Sequence, residues 1–460
     1  MASARLPDAS GDVRSTGPDV AVAGTVGRVA YADAYRPLDA GSLLAPPPTD
    51  HAAADRWAAS GAMALTGRRD GPPLVAPGLL MDRLDGLAAR LALLTRALGR
   101  AVIVDGPALL GERAAIASLA RRGSESVGGG TRLLEAADGW VAVSVVRPDD
   151  ADLLPAFVGI ALADDGQVPW RALEAAVRCR PATALVERAT LLGLAVTALG
   201  ETMPGAPLLA HERGDADAVA ELDGLLVVDL SALWAGPLCT SLLAAAGARV
   251  LKVESSRRPD GARLGASAFF DLLNAGKESV ALDFGSPEGR GVLRRLVERA
   301  DVVVEASRRR ALDQLGCAVD ALPSGTGPRV WISITAHGRH ASAADRVGFG
   351  DDAAVAAGLV AHDTDGPCFV ADAVADPVTG LLAAVAALDR LAAGGRWHLD
   401  IALARAARWA RGPDEGTEGT ARRPAASASP VQPPRSRPVP DVARPFGADT
   451  ARVLSELGVA

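Results

Sequence analysis

The chain has 460 residues, a formal net charge of -7 and only 3% aromatic residues. Its length exceeds one ordinary domain and therefore predicts more than one lobe. Lysine and arginine are spread along the sequence and form no basic face, which excludes nucleic acid as the expected partner. Because aromatic residues are scarce, the core must consist mainly of alanine, valine and leucine.

The cysteines and the N-terminal segment indicate in which cellular compartment the protein is expected. The four cysteines are far apart and have neither metal-ligand nor disulfide spacing. The N-terminal segment has no apolar stretch of the signal-peptide kind, and no apolar run is long enough to span a membrane. We therefore expect a cytoplasmic protein with reduced thiols, no bound metal and no membrane partner.

The first half of the chain begins irregularly and then carries a partial repeat. Residues 1–45 lack sustained periodicity, which predicts an irregular N-terminal arm. Within residues 46–215, the stretch 55–113 matches 352–405 in the order and spacing of its parts. Both stretches carry a DGP tripeptide followed by an Ala/Leu-rich helical pattern, so we interpret them as two copies of one unit.

Each copy has an aspartate four residues before a glycine, at the start of the Ala/Leu-rich pattern. The pairs are Asp82 with Gly86 and Asp376 with Gly380. Aspartate is a common helix N-cap, so a single pair would have a purely structural explanation. The matching flanks on both sides favour a repeat over coincidence.

Between residues 223 and 335, apolar runs alternate with helical patterns. The runs are LLVVDL, RVLKVE, SVALDF, DVVVE and RVWISIT. This alternation predicts an α/β fold with a mostly parallel sheet and helices on its faces. Residues 412–440 are rich in proline, serine and arginine and cannot bury enough apolar surface to fold alone, which predicts a linker.

The first strand pattern is followed by Ala235, Gly236 and Pro237. Proline suits the first position of a helix, and glycine lets the backbone turn tightly after a strand. The backbone N–H groups at such a helix start attract anions. An ordinary strand-to-helix turn explains the same three residues without any ligand.

Three consecutive stretches of the second half resemble the opening lobe of the family III CoA transferases. They are DLSALWAGPLCTSLLAAAGARVLKVE, FFDLLNAGKESVALDFGSPEGRGVLRRLVERADVVVE and GPRVWISITAHG. The family includes formyl-CoA and carnitine CoA-transferases and α-methylacyl-CoA racemase. The resemblance implies a Rossmann-like CoA-binding lobe over 222–411, a smaller α+β lobe, a closing helix in 441–460 and an interlocked homodimer.

The resemblance also implies the chemistry. Asp376 falls where the family carries its catalytic aspartate, whose attack on an acyl-CoA would form a covalent intermediate. The stretch GGGTRLLEAADGWVAVSVV resembles the glycine-rich loop and first hairpin of the small lobe, here predicted over 128–210. Gly128, Gly129 and Gly130 are therefore candidate donors to a tetrahedral oxyanion, although a glycine triplet is also typical of a flexible turn.

Coenzyme A enters as a substrate, and its candidate contacts lie in the CoA-binding lobe. These contacts are Ala235, Gly236, Pro237, Lys277 and Arg263. An exposed turn lysine is a common alternative explanation for Lys277. The chain departs from the family at 305–310, where EASRRR replaces the usual Glu-Asn-Phe-Arg-Pro-Gly and removes the asparagine and phenylalanine.

These observations predict a CoA transferase that moves CoA from an acyl-CoA to a carboxylic acid. Asp82 lies in the copy without a CoA-binding lobe, and we interpret it as vestigial.

A racemase is one alternative, although the family's racemase histidine falls in GFGDDAAV, where this chain has Asp351 and Asp352. His337 and His340 lie nearby and have a simpler interpretation as surface histidines. A catalytically silent acyl-CoA or partner-binding protein is the other alternative.

Overall fold

The computed structural model describes residues 34–39, 41–45, 52–160, 168–413 and 429–459. The strands are β1 (Arg36–Pro37), β2 (Thr131–Ala136), β3 (Gly139–Ser144), β4 (Ala195–Ala198), β5 (Leu208–Gly214), β6 (Leu226–Leu230), β7 (Arg249–Ser255), β8 (Glu278–Leu282), β9 (Val302–Glu305), β10 (Val330–Thr335), β11 (Ala361–Asp363), β12 (Gly366–Cys368) and β13 (Arg396–Ala402).

The α-helices are α1 (Ala53–Ser60), α2 (Leu80–Ala97), α3 (Glu112–Ala117), α4 (Asp150–Val158), α5 (Trp170–Val177), α6 (Ala182–Leu192), α7 (Ala235–Ala245), α8 (Ser267–Asn274), α9 (Pro287–Arg299), α10 (Arg309–Leu315), α11 (Gly350–Ala356), α12 (Ala375–Ala393), α13 (Leu403–Arg411) and α14 (Thr450–Glu456). No helix of the described residues is long and apolar enough to cross a membrane.

An eight-stranded sheet organises the molecule. Its strand order is β1-β5-β13-β10-β9-β6-β7-β8, and the six strands from β13 to β8 are parallel. The five strands predicted between 223 and 335 are all present, so the α/β prediction with a mainly parallel sheet is confirmed. Strand β5 comes from the first half of the chain and pairs antiparallel with β13 from the second.

Helices cover both faces of the sheet, which explains why its strands are apolar at nearly every position. On one face, Val304 and Ile332 share a core with Leu382 of α12 and Leu87 of α2. On the other face, Val303 packs with residues of α9 and α14. The first face therefore joins helices from both halves of the chain in one core.

Helix α12 lies against α7 at close range because of Gly380. A Cβ atom at this position would lie 2.6 Å from the Ala235 carbonyl oxygen and 2.9 Å from Leu238 Cδ2. The glycine that follows the candidate nucleophile by four residues therefore has a packing role, and it brings the start of α12 beside the start of α7.

Strands β2, β3 and β4 form a separate antiparallel sheet. Helices α4, α5 and α6 cover one of its faces around a core that includes Val141, Phe157 and Leu185. On the opposite face, Leu133 and Ala142 pack with Val355 of α11. Phe369 packs in the same core, so the small sheet also lies beside the segment that leads into α12.

Residues 429–440 contain neither helix nor strand, but they are docked along the first half of the chain. The Gln432 amide donates to the Ala58 carbonyl at 2.9 Å. Arg437 forms a two-point pair with Glu112, at 2.6 and 3.0 Å, and Glu112 is buried. We call 429–440 the C-terminal strap; the rest of the predicted linker lies outside the described residues apart from 412–413.

The closing helix is shorter than predicted, because α14 covers 450–456 only. The residues before it make backbone contacts with the sheet edge that a helix would not permit. Ser279 of β8 and Asp449 exchange two hydrogen bonds at 2.9 Å, one of them to the Asp449 side chain. Of the predicted N-terminal arm, Arg36–Pro37 forms the edge strand β1 and residues 1–33 lie outside the described residues.

Candidate active site

Asp376 lies in the first turn of α12, directly after an irregular segment. Ala371 and Ala373 in that segment have φ values of 52° and 45°. The left-handed region is unfavourable for alanine, so the surrounding structure must hold this backbone in place. The Asp376 amide donates to the Ala373 carbonyl at 2.8 Å, which couples the strained segment to the start of the helix.

Gly350 makes room for the Asp376 side chain. A Cβ atom at position 350 would overlap Asp376 Oδ2 and would lie 2.6 Å from the Ala373 carbonyl oxygen. Only glycine is therefore compatible with this placement of the carboxylate. The sequence contained this signal in GFGDD, but nothing in the pattern connected it with Asp376.

Three further carboxylates surround Asp376. Asp372 and Asp352 are fully buried, whereas Asp351 and Asp376 keep partial access to solvent. Asp351 accepts a hydrogen bond from the Ala373 amide at 3.1 Å. Asp352 accepts from the Phe349 amide at 2.8 Å and from the Ser144 hydroxyl of the small sheet at 2.9 Å. The acidic group thus links α11, α12 and the small sheet.

This environment makes Asp376, Asp351 and Asp352 hard to ionise. Desolvation raises the pKa of Asp376 to about 7; Arg113 opposes the rise, and the neighbouring carboxylates add to it. Desolvation together with Asp372 raises the pKa of Asp351 to about 6, and desolvation raises that of Asp352 to about 7. Near neutral pH, Asp376 therefore exists in both protonation states, as is common for catalytic groups.

Arg113 of α3 is a residue that no local sequence pattern marks as functional. Its Nε donates to Asp372 Oδ2 at 2.9 Å, and its Nη2 donates to Asp372 Oδ1. Its guanidinium carbon lies 5.4 Å from the centre of the Trp234 ring, just before α7. A Cβ atom at Gly128 would lie 3.1 Å from its Nη2. Arg113 therefore joins the aspartate segment, the α7 turn and the glycine-rich loop.

The loop of Gly128, Gly129 and Gly130 lies at this junction. Gly129 has a φ of +81°, which only glycine adopts without strain, and its amide donates to the Ser126 carbonyl at 2.8 Å. Gly128 is exposed. The loop comes from the first half of the chain and approaches the aspartate segment of the second half through Arg113.

The predicted turn of Ala235, Gly236 and Pro237 follows β6 at the carboxyl edge of the parallel strands. Helix α7 begins at Ala235, so Pro237 is its third residue and not its first. The first amide of this helix with a backbone partner is that of Leu238, which donates to the Trp234 carbonyl at 2.8 Å. The two preceding non-proline residues, Ala235 and Gly236, are buried at the helix start.

Lys277 lies inside the protein, beneath this turn. Its ammonium donates to Asp229 Oδ2 and to the Pro237 carbonyl at 3.0 Å, and to Thr240 Oγ1 at 2.7 Å. Burial lowers the pKa of Lys277 to about 8. A contact with CoA phosphates stays a prediction for this residue, whereas its present partners hold the start of α7 in place.

Arg263 is partly buried beside the sheet edge. It pairs with Glu254 at 2.6 Å and lies over the Phe270 ring at 4.3 Å. Its guanidinium therefore already has an acidic partner, so a phosphate would share it with Glu254.

An arginine cluster lies after the carboxyl ends of β7 and β9. Partial desolvation and the positive charges of Arg147, Arg258 and Arg310 lower the pKa of Arg308. Arg258, Arg308 and Arg310 are exposed, and none of them forms an ion pair with a carboxylate of the described residues. Arg147 comes from the small-sheet unit, so both units contribute to this positive surface. In the sequence, Arg308 and Arg310 appear only as a departure from the family pattern at 305–310.

The remaining candidates do not join this group. Asp82 is 48% exposed and pairs with Arg56, so its surroundings differ from those of Asp376 although both lie in the first turn of a helix. His340 contacts Asp400 at 3.3 Å. Burial lowers the pKa of His337 to about 3, which makes it neutral at physiological pH.

Comparisons with a family model and with known proteins point to the same group of CoA enzymes. Residues 222–433 match the model for CoA-transferase family III. The succinate–glutarate CoA-transferase of Agrobacterium fabrum is 31% identical over 202 residues, which cover 40% of this chain and 50% of that protein. Human α-methylacyl-CoA racemase is 37% identical over 121 residues, which cover 26% of this chain and 30% of the racemase.

A CaiB/BaiF family protein from Brucella suis, whose crystal structure is known, is 33% identical. The superposition covers 41% of this chain and 54% of that one, with a TM-score of 0.38. The chain thus spans about half the length, or less, of these relatives. Residues 222–433, which contain the α7 turn and Asp376, are therefore similar to CoA-transferase family III.

Proposed function

We propose that this protein transfers CoA from an acyl-CoA to a carboxylic acid, with Asp376 as the nucleophile. The observation that carries the proposal is the position of Asp376. It is a partly accessible carboxylate at a helix start, with room made by Gly350, and Arg113, which faces it, lies beside both Trp234 of the α7 turn and Gly128. The family match of residues 222–433 supports the same reaction.

The reaction balances without water or a cofactor. A carboxylate oxygen of Asp376 attacks the thioester carbonyl, the C–S bond breaks, and an acyl-aspartyl anhydride and CoA thiolate form. The thiolate then attacks the Asp376 carbonyl carbon and releases the donor acid as a carboxylate. The acceptor carboxylate attacks the resulting aspartyl-CoA thioester and expels the thiolate. Attack of this thiolate on the acyl carbon of the new anhydride gives the product acyl-CoA and regenerates Asp376. Covalent catalysis thus divides one exchange into steps with activated leaving groups.

The tetrahedral intermediates of these steps carry an oxyanion that needs N–H donors. Gly128 is exposed beside Arg113, which supports the proposal that amides of the glycine-rich loop donate to such an oxygen. The start of α7 offers two further amides for the CoA thiolate. The two halves of the chain would therefore bind different parts of the same transition state.

We propose that the arginine cluster of Arg147, Arg258, Arg308 and Arg310 binds the phosphates of CoA. These side chains lie at the carboxyl edge of the parallel sheet, where α/β proteins of this kind bind ligands. Arginine is well suited to phosphate because its planar guanidinium donates two parallel hydrogen bonds. A homodimer remains the expected assembly.

The experiment is chemical trapping of the aspartyl intermediate. Hydroxylamine added during turnover should convert Asp376 to a hydroxamate, seen by mass spectrometry of the peptide, only when an acyl-CoA is present. Asp376→Asn should give no adduct and no CoA exchange between acids. Asp82→Asn is the matched control, because it changes the equivalent aspartate of α2 and should leave trapping intact. Absence of any adduct across a broad acyl-CoA panel would favour a silent acyl-CoA-binding protein.

One observation keeps the racemase as a second candidate. Asp351 and Asp376 are both partly accessible and have raised pKa values of about 6 and 7, as two acid–base groups at one substrate carbon require. A racemase would exchange the α-hydrogen of a 2-methylacyl-CoA for deuterium in D2O without a carboxylic acid acceptor. A transferase would require the acceptor and would leave that hydrogen in place.

A further inference from the structure

We propose that Arg113 is the positioning residue of this site, which fixes the Asp376 segment and keeps Asp376 available as a carboxylate. The first half of the chain would then supply an essential charge to a nucleophile that lies in the second half. The activity arm of this proposal rests on the proposed function, whereas its geometry and its titration arm do not.

The first step of the argument is mechanical. Arg113 donates hydrogen bonds to both carboxylate oxygens of Asp372, which is fully buried. A two-point pair between guanidinium and carboxylate fixes orientation as well as distance. Asp372 lies between Ala371 and Ala373, the two alanines with positive φ, and four residues before Asp376. Arg113 is therefore bound to the strained segment that precedes α12 and that sets the position of Asp376 in the first turn of this helix.

The second step is electrostatic. The charged groups that face Asp376 are Asp351 and Asp352 of α11, Asp372 of its own segment, and Arg113 of α3. The three carboxyl groups favour the protonated form of Asp376, and the guanidinium favours the ionised form. His337 lies beyond Asp352 and is neutral at pH 7. Among the described residues named here, Arg113 is therefore the cation that offsets this acidic group.

The third step is access. The Arg113 side chain is 31% exposed, whereas its partner Asp372 is fully buried. Arg113 therefore lies between Asp372 and solvent. Its Nη2 lies beside the Gly128 position, and its guanidinium lies over Trp234 next to the α7 turn. The same side chain therefore contacts each element that would bind the reacting thioester.

The test compares charge with geometry. Arg113→Met removes the charge, Arg113→Lys keeps it without the two-point pair, and Arg56→Met is the control, which removes an Arg–Asp pair between α1 and α2. Two readouts are followed: the pH dependence of CoA transfer, and the titration of the Asp376 carboxyl carbon by 13C NMR of aspartate-labelled protein. The Asp376→Asn variant assigns the resonance.

Arg113→Met removes one nearby positive charge. The acid limb of the pH–activity profile and the NMR titration midpoint of Asp376 should therefore move to higher pH by about one to two units. Arg113→Lys should stay close to wild type in pH dependence but lose rate, and Arg56→Met should change neither. The same rise should appear when Arg113→Met is added to Asp372→Asn. That background removes the buried charge that Arg113 neutralises, so it supplies the comparison if the single variant does not fold.

An unchanged acid limb and an unchanged NMR midpoint, in folded Arg113→Met or in the Asp372→Asn background, would overturn the proposal. A loss of rate that only follows the folded fraction would do the same, because it is what a purely structural arginine predicts. If wild-type protein forms no aspartyl adduct, the proposed function fails, and the NMR titration still decides the role of Arg113.

Discussion

Asp376→Asn should make the protein more stable at alkaline pH while it abolishes transfer. A carboxyl whose folded pKa is raised binds a proton in the folded state where the unfolded chain has lost it. The free energy of unfolding therefore falls as pH rises from about 4 to about 7 and stays lower above that range. Asparagine keeps the size of the side chain and carries no charge, so the variant lacks this penalty.

The magnitude follows from the site. A pKa raised from 3.8 to about 7 corresponds to about 4 kcal/mol once the group is ionised. Asp376 keeps partial access to solvent and shares its neighbours' repulsion, so we expect a gain of about 2 kcal/mol at pH 8.5. Below pH 4 both proteins carry a neutral side chain here, and the gain should vanish.

Urea unfolding at pH 4, 6 and 8.5, followed by circular dichroism, measures this difference. Asp82→Asn serves as the control, since loss of its exposed pair with Arg56 should cost about 0–1 kcal/mol with little growth of the effect above pH 6. A variant less stable than wild type at pH 8.5, or a difference equal at all three pH values, would refute the electrostatic account of the site.

Three further outcomes are expected. Gly350→Ala should reduce transfer by about 100-fold, because the added methyl overlaps the Asp376 carboxylate; kinetics at unchanged CoA affinity would show it, and normal turnover would contradict it. Arg308→Ala should weaken CoA binding by about tenfold in calorimetry, whereas binding of pantetheine, which lacks the phosphates, should not change; equal losses for both ligands would argue against a phosphate contact. Arg437→Met should destabilise the protein by about 3–5 kcal/mol by leaving Glu112 buried without its partner, and a second change, Glu112→Gln, should restore most of the stability if the pair has the role described.

The parts of the fold that follow from local pattern were predictable. Apolar runs of strand length between helical stretches gave the five parallel strands, because both faces of each strand are covered. The start of a helix at Asp376 was also visible, since its signals lie within a few residues of each other. The position of β5 beside β13 was not, because pairing between distant strands leaves no local mark.

The site depended on contacts that a single sequence does not carry. Arg113 looks like any surface arginine of a short helix, and only the folded chain brings it to Asp372. Lys277 has the pattern of an exposed turn, yet Asp229 and Thr240 hold it inside. In the C-terminal strap, composition predicts a segment without a core of its own but says nothing about a surface on which the segment docks.

The core shared by α2 and α12 has a consequence for the nascent chain. Helix α2 leaves the ribosome roughly 300 residues before α12, a delay of about 15 to 60 seconds at ordinary elongation rates. Throughout that interval the residues of α2 that join this core, such as Leu87 and Leu91, lack the cover that α12 provides. We expect chaperones to bind this apolar face of α2 until α12 emerges. For the same reason, the two halves made as separate polypeptides should be soluble only when they are synthesised together.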